Sequence, residues 1–297
     1  QESYFENRIE ELQEVTLIFC QKLFLNNMSV EIFLKSICEN HLTLDQDIYP
    51  AILNFFNKVL EGGNKEAQEK FYIMFYFFNN SENLFAYLKH IFSQDIYSYL
   101  KNEKEIKNDL KYTELLKNQL QFLQLLTEDH FTKLQLYLRE QLENKVSYNF
   151  IIIIVEYMNM LLSKMGLLLD QDMLDQYKTH LYYERLISCM ETLCEFLQGP
   201  CSKNQETLTN SKIIEIFDRI MRETKFSIVI KHQKGESNDI DSEDEYEDID
   251  SEYSEGRNNK QKKLFDWLTE FDKSLIIYKL GLVLLAMIEG RRMKDEI

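Results

Sequence analysis

The sequence predicts an all-α protein, an armadillo- or HEAT-like α-solenoid of stacked antiparallel helices with one disordered acidic loop. Three observations carry this. Only two prolines (Pro50, Pro200) and eight glycines interrupt 297 residues, and the runs between them are rich in the helix-favouring Leu, Lys, Glu and Gln. Apolar residues recur at helical spacing, and no segment alternates between turn signals as a strand would. The apolar content of 44% supports a sizeable core, yet each apolar face is too broad for a helix standing alone, so the helices have to stack.

Taken in order, residues 5–25 read as an amphipathic helix through Ile9, Leu12, Val15, Ile18, Phe19, Leu23 and Phe24, and residues 29–39 and 48–61 repeat the pattern. In Leu60-Glu61-Gly62-Gly63-Asn64 the glycines end one helix and Asn64 caps the next. No strand precedes this Gly-Gly and no Gly-Lys-Ser/Thr follows it, so it is not a phosphate loop. Residues 71–78 and 85–92 are aromatic-rich helical runs suited to a core. A charged connector, 101–111, leads to a helix whose apolar face runs Leu116, Leu120, Leu123 and Leu126 and stops at Thr127. Glu128 then lies in a turn, with Asp129 as a plausible N-cap for the next helix.

Residues 150–169 are apolar nearly all round, as in a central helix covered on several sides. Residues 174–198 form a long helix that presents Glu195 and Gln198, three apart on one face, at an end closed by Gly199-Pro200. Free carbonyls and the negative end of the helix dipole at such an end both favour a cation. Residues 211–222 make another helix with Ile213, Ile214, Ile216 and Phe217 inward, and 262–289 a helix or helix pair. The organisation expected is a helical solenoid segment over 1–103, a helical domain over 104–232, an acidic linker over 233–258 and a C-terminal helix or pair over 259–297.

Composition excludes several functions. The net charge of −16 is concentrated in one place: residues 236–255 hold eleven acids and neither Lys nor Arg. That stretch is too polar to repay its ordering entropy. Its Asp239-X-Asp241-X-Glu243 spacing is not an EF-hand, because Asp244 stands where the loop needs glycine. There is no basic stripe for nucleic acid. The five cysteines lack zinc-ligand spacing and read as reduced thiols. Residues 150–169 are broken by Glu156, Asn159 and Lys164, and 274–287 is short and contains Lys279, so no membrane span is expected. The five histidines are scattered and no nucleophile–base motif occurs, which gives no support for an enzyme. The chain begins with Gln1 rather than Met, which suggests a piece of something larger.

Several motifs, in order, resemble the intracellular calcium-release channels, the inositol trisphosphate and ryanodine receptors, in their cytosolic RIH-associated region. Leu60, Gly62, Gly63, Asn64, Ala67 and Gln68 match one motif. Phe122 to Glu128, His130, Leu134-Gln135, Tyr137-Leu138-Arg139 and Gln141 match a second, with Thr127 for the usual Cys and Asp129 for Asn or Gly. Leu193, Glu195, Gln198, Gly199, Pro200, Cys201, Asn204 and Gln205 match a third, with Cys194 for Thr and Phe196 for Tyr, and Leu284-Leu285 to Glu289-Gly290-Arg291 a weaker fourth. Ile37-Cys38-Glu39-Asn40-His41 fits the short form of the second motif, but only Glu128 stands in the family's order. Asn149 to Ile153 is ryanodine-receptor-like, and the branch stays open.

The resemblance implies a cytosolic regulatory or coupling segment of a ligand-gated channel of the endoplasmic reticulum or another internal store. It implies contacts with other domains of the same channel and a homotetrameric full-length protein. It also implies that Glu128, Glu195 and Gln198 contribute to an activating Ca2+ site, a weak half-site completed by a domain outside this chain. Calcium's preference for six to eight hard oxygen ligands suits that set and leaves several positions open. The alternative is an α-solenoid protein-interaction scaffold without calcium sensing.

Overall fold

The computed structural model describes residues 2–40, 48–78, 80–100, 106–170, 176–224, 264–265 and 267–290; the acidic stretch 236–255 lies outside them. Among the described residues every regular element is helical: α1 (Glu2–Asn26), α2 (Ser29–Asn40), α3 (Ile48–Leu60), α4 (Lys65–Phe77), α5 (Ser81–Leu100), α6 (Ile106–Leu125), a 3-10 turn (Glu128–His130), α7 (Thr132–Arg139), α8 (Phe150–Asp170), α9 (Gln176–Leu197), α10 (Ser202–Thr209), α11 (Ile213–Glu223) and α12 (Glu270–Ile288).

The helices stack in three rows. α1, α3, α6, α9 and α12 pack one against the next; α4, α7 and α10 form a second row; α2, α5, α8 and α11 form a third. From α3 onward the chain therefore repeats a unit of three helices, and α12 opens a further round. This is an α-solenoid arrangement, as the helical spacing predicts. The repeat itself is hidden in the sequence, because the equivalent helices differ in length and fill their contacts with different side chains.

Apolar packing is continuous along the stack. Phe56 of α3 meets Phe71 of α4 at 5.0 Å and Phe122 of α6 at 5.7 Å between ring centroids. Phe85 of α5 meets Phe150 of α8 at 5.9 Å, and one buried cluster extends from Leu25 to Met287. Tyr137 of α7 reaches back to donate its hydroxyl to the Phe75 carbonyl at 2.8 Å. The cysteines are all free, four of them buried, in keeping with reduced thiols. Among the described residues no single helix is long and apolar enough to cross a membrane; α1 and α2 pass that test only as a pair bent by 62°.

Several local expectations are corrected. Asp129 is not an N-cap: α7 starts at Thr132 after Phe131, while Asp129 itself is left-handed (φ 57°) and its carboxylate turns to Lys65 at 2.8 Å. The helix after the charged connector begins at Ile106, within that connector. Ile214 is half exposed, because the inward stripe of α11 is Ile213, Ile216, Phe217 and Ile220. Among the described residues the final segment is a single helix, one of the two expected forms, but it starts only at Glu270 behind a Thr269/Asp272 capping box, and Phe271 points out. The expected apolar face of α1 is uncovered at Leu12, Val15 and Phe19; only toward its end does it meet α3, where Phe24 packs on Phe55 at 5.1 Å.

Candidate functional site

Each helix of the first row ends in a turn, and those turns stand side by side along one edge of the solenoid. A buried glutamine secures those after α3, α6, α9 and α12, whereas at the end of α1 the Leu25 carbonyl accepts from the Lys70 ammonium. Gln21 donates its amide to the carbonyls of Lys58 and Glu61 at 3.1 and 2.9 Å. Gln68 donates to Leu125 and Glu128 at 3.0 and 2.9 Å, and Gln135 to Glu195 and Gln198 at 2.7 and 2.9 Å. Gln205 donates to Ala286 and Glu289 at 2.8 and 3.0 Å. In every case the two carbonyls are three residues apart, and the glutamine is at most 5% exposed. These carbonyls are among those a helix end leaves without intrahelical partners, so the clamps satisfy groups that burial would otherwise penalise.

Side-chain and glycine contacts fasten each turn to the next. The Gly63 N–H donates to the Glu128 Oε2 at 2.9 Å, and the Gly199 N–H donates to the Glu289 Oε2 at 3.1 Å. Gly199 has φ +86° and lies so close to His130 that a Cβ there would sit 2.6 Å from the histidine Cβ; both its conformation and its neighbour require glycine. A Cβ on Gly63 would similarly press to 3.1 Å from Asp129. The Glu128–His130 turn is thus held between the turns before and after it.

The structure brings two of the expected site residues together. Glu128 lies in the turn after α6, Glu195 in the last turn of α9, and Gln198 just beyond it. The α9 helix packs on the Glu128–His130 turn. Burial first, then the negative charges of Glu128 and Asp129, push the Glu195 carboxyl up to about 7. Its proximity to Glu128 cannot be read from the sequence, where the two stand far apart. Asp129 also faces this cluster, with its own carboxyl held below the usual range by the Lys65 ammonium. The Gln198 amide nitrogen is turned to the Cys194 sulfur at 2.9 Å. Among the described residues nothing donates a hydrogen bond or ion pair to the Glu195 carboxylate, and no group of three or more Asp, Glu, His or Cys is arranged to hold a metal ion unaided.

Sequence reasoning missed the clamps. Gln68, Gln135 and Gln205 all stand within the quoted motifs, each shortly after a helix stop, but a glutamine in a short amphipathic helix gives no sign of its distant carbonyl partners.

Residues 110–221 match the family model described as RyR and IP3R Homology associated. Over this segment the chain is similar to that family. It runs from α6 to α11 and contains Glu128, Glu195 and Gln198 together with the clamping Gln135 and Gln205. The motif-based recognition of the inositol trisphosphate and ryanodine receptor superfamily therefore stands. Gln68 and Gly63, which brace the homology-associated region from its N-terminal side, lie outside the matched residues, as does Gln21, which clamps the turn after α3.

Proposed function

We propose that this chain is a cytosolic coupling segment of a ligand-gated intracellular calcium-release channel, and that Glu128, Glu195 and Gln198 form part of an activating calcium site shared with another domain of the same channel. The observation that carries the reading is the approach of Glu195 to Glu128 at two neighbouring helix ends of the homology-associated region. Two carboxylates and an amide oxygen are hard donors, the helix ends add negative potential, and the repulsion between the acids is relieved by a divalent cation. Calcium would supply the remaining attraction for an opposing domain, so its binding would favour the arrangement in which the two meet. In this reading the full-length protein is a homotetramer in the endoplasmic reticulum or another internal store membrane.

Calorimetric titration with calcium tests it. The wild-type chain should bind weakly and the Glu128→Ala/Glu195→Ala variant should lose that binding; equal binding in both would sink the assignment.

A second reading has its own support. The Glu128 carboxylate already accepts the Gly63 N–H, and Glu289 repeats that contact with Gly199. A recurring brace of this kind suits a protein-interaction scaffold without calcium sensing. In that case the double variant would lose thermal stability with no change in calcium binding.

A further inference from the structure

The two halves of the candidate site are carried by different helix ends, and one residue spans them. Gln135 belongs to α7, the short helix launched directly from the Glu128–His130 turn. Its amide holds the carbonyls of both Glu195 and Gln198, so the helix that follows the first half grips the backbone of the second. Asn204 returns the hold by donating to the Gln135 and Phe196 carbonyls, each at 2.9 Å. Gln68 fixes the first half in the same manner, through the carbonyls of Leu125 and Glu128. Both glutamines are fully buried, and their amide oxygens accept no hydrogen bond, so the donors alone account for their placement.

We propose that Gln135 and Gln68 are the positioning residues of the calcium half-site, setting the separation of Glu128 from Glu195 and Gln198 through the backbone rather than by touching the ion. This rests on the calcium reading above. A ligand set of only three side chains is sensitive to such placement, because each must meet the ion without further adjustment of the turn. Gln205 is the built-in comparison: it makes the same pair of bonds, with the same burial, to a turn that carries none of the three ligands.

The test compares Gln135→Met and Gln205→Met in the full chain, each isosteric and without donors, by calcium titration and thermal unfolding. Both should lower the unfolding midpoint, but only Gln135→Met should weaken calcium binding, by about tenfold or more, as loss of an outer positioning contact does. A second measurement needs no variant. In the wild-type chain, calcium should shift the side-chain amide resonances of Gln135 and Gln68 and leave that of Gln205 in place. Equal weakening by both variants, unchanged affinity in Gln135→Met, or equal resonance shifts would overturn the positioning role while leaving the calcium reading intact. Absence of calcium binding in the wild type, or its persistence in Glu128→Ala/Glu195→Ala, would overturn both.

Discussion

At the scale of single residues, the Glu195 carboxyl is the group whose chemistry the fold changes most visibly. Burial and the neighbouring Glu128 and Asp129 lift it from 4.5 to about 7. The folded chain therefore keeps a proton that the unfolded chain has already lost between those values, and the charged carboxylate opposes folding above them. This destabilisation is present in full above about pH 7 and is relieved as the pH falls toward 4.5. The expected outcome is that Glu195→Gln stabilises the calcium-free chain at about pH 8 and makes little difference near pH 4.5, as measured by urea unfolding at the two values. A constant difference at both would rule out the charge as the cause. That Glu195 stands at a cation-favouring helix end was legible from Gly199-Pro200 and the three-residue spacing to Gln198; its encounter with Glu128 was not, because no local pattern links the ends of α6 and α9.

At the scale of elements, the stop and start signals did most of the work. The glycines after Leu60 and the Asn64 cap fall where the sequence puts them: Asn64 Oδ1 accepts the Ala67 N–H at 3.1 Å. Its amide has a further duty invisible in sequence, donating to the Gln21 oxygen at 2.9 Å and so steadying the first clamp. Asn64→Ala should cost about 1–2 kcal/mol, the loss of an N-cap with an added part-buried bond, whereas Asn64→Asp should retain the cap and lose only the link to Gln21. Chemical denaturation of the two variants separates the contributions; equal losses would mean that the cap itself is unimportant. Asp129 shows the opposite case. Its residue type fits an N-cap, but the tertiary partner Lys65 and the close approach of Gly63 hold it in a left-handed turn three residues before α7 begins.

At the scale of the whole molecule, the solenoid has a continuous core and, among the described residues, uncovered apolar side chains on both end helices of the first row, α1 and α12. Phe122 is fully buried between Phe56 and Phe71, whereas Phe19 on α1 is 66% exposed. Phe122→Ala should lower stability by about 3–5 kcal/mol through the cavity it leaves, and Phe19→Ser should stay within about 0.5 kcal/mol of wild type, since that side chain has little packing to lose. Thermal or urea unfolding of both variants checks this, and a comparable loss for Phe19→Ser would mean that its flank is packed in solution. The amino-acid pattern by itself determined the helical class, the main helices and the resemblance of residues 110–221 to the RyR and IP3R Homology associated family, because helical periodicity, caps, glycine stops and short motifs are local properties of the chain. The tertiary structure alone decided the three-helix repeat, the row of glutamine-clamped turns and the meeting of Glu128 with Glu195. Those depend on hydrogen bonds and charges between residues that only stacking brings within reach.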